Sequence, residues 1–321
     1  MDTTTLPTRL ISRIAVIATA SCALAATLAP AATAAENPKI AAYNVFMLSR
    51  NLYPNWGQVT RADLIDSSGV LAGQDVVVLN ELFDNTASDR LLRNLADTHP
   101  HQTPVLGRSR IGWDATQGAY SDSTPEDGGV SVVSRWPITR KVQHVYRDAC
   151  GAEVMANKGF VYVRIAAPSG PLHVVGTHAQ AEDSSCGTAP GVIRARQRAE
   201  VRAFLATLPT TEPVYVAGDL NVIESSGEYP AMLRELGAVA PAHTGHPYSW
   251  DCPDNSVCQG QYGPEYAPEH LDYVLPIANQ AAPASYVNET RRVKSPRWSV
   301  TSWWTTYSYN DFSDHYPVFG Y

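Results

Sequence analysis

Six apolar runs of strand length in this chain end in, or open on, amides, carboxylates or imidazoles, and that repetition constrains the fold more than any other feature. Lys39–Met47 reads as a first strand interrupted by Asn44. Asp75–Leu79 is continuously apolar after its first residue, as expected of a strand buried on both faces, and is followed by Asn80-Glu81. Leu172–Gly176 runs into Thr177-His178, and Val214–Ala217 into Gly218-Asp219-Leu220-Asn221. His270-Leu271-Asp272-Tyr273 opens the run Leu271–Leu275, and Asp314-His315 precedes Tyr316–Phe319. Strand ends are where sheet proteins gather ligands.

Gly129–Ser134 and Phe160–Ile165 add two alternating strands. Helices are expected over Ala87–Asp97, with Leu91, Leu92 and Leu95 apolar, and over Val192–Leu208. In the latter, Val201, Phe204, Leu205 and Leu208 share one face, and Arg194, Arg196, Arg198 and Arg202 read as the wet side. Strands outnumber helices and interleave with them. The expected class is α/β, a four-layer sandwich of two packed β-sheets flanked by helices.

Residues 1–35 stand apart. Arg9 and Arg13, the apolar stretch Ile14–Leu28 and the small residues Ala32-Thr33-Ala34 read as a secretory signal peptide cut near Ala34 or Ala35. The run is shorter than the ~20 residues a membrane span needs. The mature chain, 36–321, is expected to be one exported domain. Removing Arg9, Arg13 and Asp2 takes the net charge from −7 to −8. That balance disfavours a polyanion-binding protein, since phosphate backbones are held mainly by Lys and Arg. Four cysteines remain after Cys22 is removed. Export favours disulfides, and loop economy favours Cys150–Cys186 and Cys252–Cys258 among the three connectivities. Zinc is the competing reading, without a C-x-x-C pair to support it.

Taken singly, each polar strand end has a plain structural explanation: a turn asparagine, a surface carboxylate, a hydrogen-bonded core histidine. The set does not. Asn44, Asn80-Glu81, Gly176-Thr177-His178, Gly218-Asp219-Leu220-Asn221, Leu271-Asp272-Tyr273 and Ser313-Asp314-His315-Tyr316-Pro317 resemble, in type and order, the endonuclease/exonuclease/phosphatase superfamily. The likeness covers almost the whole mature chain. It implies phosphate-ester hydrolysis with Mg2+, or with Mn2+ or Co2+ in its place. By that resemblance Asn44 and Glu81 would hold the metal, and Asp219 and Asn221 would position water and phosphate. His178 would donate to the phosphoryl oxygens. His315, oriented by Asp314, would be general base or ligand to a second ion, with Asp272 behind. These residue types suit a hard divalent cation.

Further segments are similar to bacterial neutral sphingomyelinases: Glu81-Leu82-Phe83-Asp84-Asn85, Pro125–Val130 and Ser134-Arg135-Trp136-Pro137-Ile138. In that family Asn85, Glu126 and Asp127 would form a second metal site at the molecule's edge, and Cys150–Cys186 is similarly placed. Trp303 and Trp304, inside Val300–Tyr307, are adjacent. On a strand they would face opposite sides, so a hairpin tip is the natural place for both to be exposed. The resemblance implies a hairpin that touches lipid, with Tyr307 and Tyr309 adding area. The expected substrate is sphingomyelin in a membrane surface, cut by a monomer with no nucleic-acid or protein partner. A secreted nuclease or soluble phosphoesterase on the same fold is the alternative. A non-catalytic lipid-binding module would show gaps among the catalytic positions, and none is present.

Overall fold

The computed structural model describes residues 1–4, 37–302 and 304–321. The expected export segment from Arg9 to Ala35, and Trp303, lie outside the described residues. In chain order the elements are β1 (Ile40–Asn44), α1 (Gln58–Ser67), β2 (Val76–Asn80), α2 (Asn85–Leu95), β3 (His101–Gln102), β4 (Ala115–Gly118), β5 (Ser131–Ser134) and β6 (Ile138–Val145). Next come β7 (Gly159–Ala167), β8 (Gly170–His178), α3 (Ala189–Leu205), β9 (Val214–Asp219), α4 (Glu228–Leu236), β10 (Ala242–Gly245), α5 (Ser256–Tyr262) and β11 (Asp272–Pro276). The chain closes with β12 (Val287–Thr290), the hairpin β13 (Trp298–Ser302) and β14 (Thr305–Tyr309), and β15 (Val318–Gly320).

Side-chain alternation builds the layers. Along β1 and β2, Ile40, Ala42, Val76 and Val78 face a core shared with Val161, Val163, Val174, Tyr215 and Ala217 of the opposite sheet. Their neighbours Ala41, Tyr43, Val77 and Leu79 pack instead on Ala62 and Ile65 of α1 and on Leu91 and Leu95 of α2. On the far side, Val175, Val214 and Val216 pack against Val201 and Leu205 of α3 and Met232 and Leu236 of α4. The result is the expected order of helices, sheet, sheet and helices. One sheet has seven strands, β10-β12-β15-β1-β2-β5-β3, and the other six, β11-β9-β8-β7-β6-β4.

The first strand is shorter than expected and ends at Asn44. Helix α2 starts at Asn85 because the Asp84 carboxylate accepts the Ala87 N–H at 2.9 Å, capping it one turn before the apolar stripe. Helix α3 runs Ala189–Leu205, three residues earlier than the apolar spacing indicated. Its arginines correct the expectation of a wet face. Arg194 and Arg198 are buried, because α4 brings Glu228 against them. Glu228 accepts from Arg194 at 2.7 and 3.0 Å and from Arg198 at 2.7 Å. Glu235 takes a further bond from Arg198 at 2.6 Å. Both expected disulfides are formed, Cys150–Cys186 with Cα atoms 6.0 Å apart and Cys252–Cys258 with 4.8 Å.

Candidate active site

β1 and β2 are parallel and in register, so Asn44 and Asn80 sit side by side at their carboxyl ends. The second sheet presents His178 and Asp219 opposite each other on the parallel pair β8/β9, and Asp219 opposite Asp272 on the antiparallel pair β9/β11. The two sheets therefore aim their polar ends into one cleft of about 510 Å3, lined by Glu81, His178, Asp219, Asn221, Asp314 and His315 among others.

Hydrogen bonds join the sheets across this seam. Asn44 Nδ2 donates to Glu81 Oε1 at 2.9 Å and to Asp219 Oδ2 at 3.0 Å. Asn80 donates to the Thr177 carbonyl at 2.9 Å and accepts the Asp219 N–H at 3.1 Å. Gly218, with φ 133°, lets β9 come this close. A Cβ there would lie 2.0 Å from the Thr177 carbonyl oxygen. Glu81 and Asn221 hold left-handed φ values of 61° and 50°, rare for residues with a side chain and typical of constrained functional positions. Asn221 is fixed by its N–H to Asp219 Oδ1 and its amide to the Ala179 carbonyl, both 3.0 Å.

The two histidines converge on one carboxylate. His178 Nε2 lies 3.6 Å from Asp219 Oδ2, and His315 Nε2 lies 3.9 Å from the same atom. His315 Nδ1 is bonded to Asp272 Oδ2 at 2.7 Å. This corrects the expectation that Asp314 orients His315. Neighbours along an extended chain point apart, and the orienting carboxylate arrives from another strand. Asp314 instead takes the Ser313 hydroxyl at 3.2 Å. Burial opposes charge on His315, but Asp272, Asp314 and Asp219 hold its pKa well above the usual imidazole value. His178 moves the other way, driven down by burial and then by Lys158 and His315. Glu81 rises to about 8 through burial and the nearby Asp314, and Asp219 to about 7 through burial and Asp272.

Three positions escaped the sequence reading of individual roles. Asn80 was visible only as part of a motif, yet it ties the sheets together. Ser249 accepts the N–H groups of Leu271 and Asp272 at 2.9 and 3.1 Å, while its carbonyl accepts the Tyr316 N–H at 2.7 Å. It thereby sets Asp272 against His315. Arg61, fully buried in α1, donates to the carbonyls of Trp56, Val45, Phe46 and Phe312, binding the loop after Asn44 to the loop before Asp314. A lone serine or a helical arginine carries no sequence signal for such a role.

A sequence profile described as the Endonuclease/Exonuclease/phosphatase family matches residues 41–315. The chain is 48% identical over 290 residues to a protein named sphingomyelinase C from Bacillus cereus, with 87% of each chain covered. The chain belongs to the endonuclease/exonuclease/phosphatase family, in its sphingomyelinase C branch. Among solved structures, sphingomyelinase C from Streptomyces griseocarneus superimposes with a TM-score of 0.86 at 48% identity, covering 89% of this chain and 99% of that one. A mutant beta toxin from Staphylococcus aureus with bound magnesium ions gives 0.86 at 46% identity, covering 88% and 98%.

The donor set of this family member fits a divalent cation. Glu81, Asp219, Asp272 and Asp314 are crowded together, and Arg61 is the guanidinium that bears on both Glu81 and Asp314. Among the described residues, Glu81 Oε2, Asp272 Oδ1 and His178 Nδ1 are buried without a hydrogen-bond partner. Unpaired buried carboxylate oxygens are costly unless a cation satisfies them.

The edge residues are also brought together. Asn85, Glu126 and Asp127 line a neighbouring cavity of about 370 Å3 with Ser49, Arg50 and Asp84, and Glu126 and Ser49 line the catalytic cleft as well. Asp127 is engaged there by Arg108 Nε and the Gly129 N–H, each at 2.9 Å. β13 and β14 pair up to Ser302 opposite Thr305, and Trp304 stands in the turn just before β14. Trp304 is 101% exposed and Tyr307 is exposed, but Tyr309 is not. It packs on Trp56 and Trp298, which corrects the expectation that it adds contact area at the tip.

Proposed function

We propose that this protein is an exported, divalent-metal-dependent phosphodiesterase that hydrolyses sphingomyelin in membrane surfaces to ceramide and phosphocholine, acting as a monomer. The observation that carries the reading is the convergence of His178 and His315 on Asp219 beside the Asn44–Glu81 pair, in a chain so close to proteins named sphingomyelinase C. Glu81, supported by Asn44, would hold Mg2+, or Mn2+ or Co2+ in its place, and Asn85, Glu126 and Asp127 would hold a second ion at the edge. A divalent cation there supplies charge neutralisation for the anionic diester and acidifies a bound water.

The protein's own groups do the rest. Water attacks phosphorus, the bond from phosphorus to the ceramide oxygen breaks, and that oxygen takes a proton. His315 has its Nδ1 fixed by Asp272, so Nε2 is the atom that exchanges a proton. His178, kept neutral by burial, donates its N–H to a phosphoryl oxygen. Asp219 and Asn221 position the water and the phosphate. Trp250, Tyr262 and Tyr266 line the same cleft with ring centroids 5.4, 6.1 and 6.2 Å apart. Their faces suit a quaternary ammonium headgroup. Trp303 and Trp304 would enter the lipid headgroup layer.

The test is phosphocholine release from sphingomyelin liposomes by the purified mature protein, with Mg2+ and then with excess chelator. Metal-dependent release is expected. Folded protein that releases none with Mg2+ would move the substrate to nucleic acid or a soluble phosphate ester.

A further inference from the structure

Away from the catalytic cleft, a glutamate and two histidines face one another where both sheets meet. Glu224 lies in the loop after β9, His243 in β10, and His270 just before β11. One donor atom from each lies within 4.8 Å of the other two. The imidazoles stand edge to face, with centroids 4.7 Å apart and planes at 89°. Glu224 Oε1 is 3.9 Å from His243 Nε2, and the Glu224 N–H is bonded to the His270 carbonyl at 3.2 Å. None of the three lines the cleft that holds His178 and His315.

We propose that Glu224, His243 and His270 form a further metal site, distinct from the central and edge sites, for a nitrogen-preferring transition ion such as Zn2+. His270 is 4% exposed, and its Nε2 is buried with no hydrogen-bond partner. His243 Nδ1 is likewise unpartnered, and its Nε2 has the Tyr229 hydroxyl at 3.3 Å. Burying an imidazole nitrogen such as His270 Nε2 without a partner is unfavourable, and a bound cation removes that cost. Both rings are ready to bind. Burial and the neighbouring His243 lower the pKa of His270 to about 4, and burial lowers that of His243. Two nitrogens and one carboxylate oxygen make a three-ligand zinc set with a fourth position for water, and Mg2+ is disfavoured by the nitrogens. Ligand atoms around a tetrahedral ion at ~2.0 Å stand roughly 3.3 Å apart, so the cluster must contract. Glu224, half-exposed on its loop, can supply the movement.

An ion here would clamp the loop that follows Asp219 and Asn221 to the start of β11, two residues before Asp272. The test is titration of the metal-stripped mature protein with ZnCl2 in excess Mg2+, by calorimetry, with Co2+ absorption as a second readout of four-coordinate nitrogen ligation. Wild type and His178→Ala are expected to share a zinc site that Glu224→Gln and His243→Ala weaken by about 100-fold or more. Far-UV circular dichroism confirms that each variant is folded, and Glu224→Gln keeps the side-chain volume. Equal zinc stoichiometry and affinity in wild type and both variants would overturn the proposal. So would zinc binding in wild type that His178→Ala removes entirely.

Discussion

At the scale of single residues the geometry exchanges the roles that the sequence suggested for two carboxylates, Asp272 and Asp314. Asp272 touches His315 and Asp314 does not, so Asp272→Asn is expected to lower kcat by about 100-fold or more. The Asp272 charge raises the His315 pKa, so its loss also moves the His315-dependent limb of the kcat/KM profile to lower pH. An unchanged pH profile in a folded Asp272→Asn protein would refute that pairing. The motif positions were legible because each polar residue interrupts or ends an apolar strand, a contrast visible one residue at a time. The pairing was not, because it depends on strand β11 lying beside β9 and on Ser249 fixing the distance to His315. Those facts are set by contacts far apart in sequence. For the same reason Asn80 could be seen but not understood: its partners are Thr177 and Asp219, on the other sheet.

At the scale of elements, strands buried on both faces were readable from continuous apolar runs such as Val76–Leu79. Short edge strands such as β3 and β4 were not, because they carry few apolar residues and owe their form to a neighbour's unpaired backbone. Arg194 and Arg198 failed for a related reason: α3 is covered by α4, and helical periodicity cannot show which polar side is roofed by an acidic partner. Glu228 joins the two helices, and the sign of its effect follows from its ionisation. Burial works against its charge, but the bonds to Arg194 and Arg198 hold its pKa below the usual value. Its contribution is thus present above the unfolded value of about 4.3 and lost as pH falls through the lower folded value. Glu228→Gln should cost ~3 kcal/mol at pH 7 in urea unfolding, with the gap to wild type closing as the pH drops below about 4. A gap unchanged down to pH 3 would remove the ion pairs as its cause. The β13–β14 hairpin has a different role. Trp304 gains nothing from the fold while it stands in water, so Trp304→Ala should leave stability nearly unchanged. It should lower turnover of liposomes by about 10-fold through weaker partitioning, and lower turnover of micellar substrate less. Equal losses on both would make the turn structural.

At the scale of the whole molecule, the two sheets are pressed together at the end where their carboxylates meet, and a metal held at that junction would couple to the fold. Folding raises Glu81 to about 8 and Asp219 to about 7, so the metal-free fold binds protons there that the unfolded chain releases near pH 4. Groups raised in this way weaken the metal-free fold as pH rises from the unfolded value through the folded one. A divalent cation held by Glu81 and Asp219 would take the place of those protons. It stabilises the folded state by about 2.7 kcal/mol at 100 times its Kd, and more effectively where protons no longer compete. Thermal unfolding should therefore show a Tm rise on adding Mg2+ that is larger at pH 8 than at pH 6. Glu81→Gln removes one of the raised carboxylates. It should make the metal-free protein less sensitive to pH across this range and abolish most of the Mg2+ effect. A Mg2+ shift of the same size at both pH values, or one that survives in Glu81→Gln, would mean that the ion's contribution to stability comes from elsewhere, the Asn85–Glu126–Asp127 cavity first. Measuring the shift in Asp127→Asn alongside separates the two, because Asp127 lines that cavity and not the cleft that holds Glu81 and Asp219.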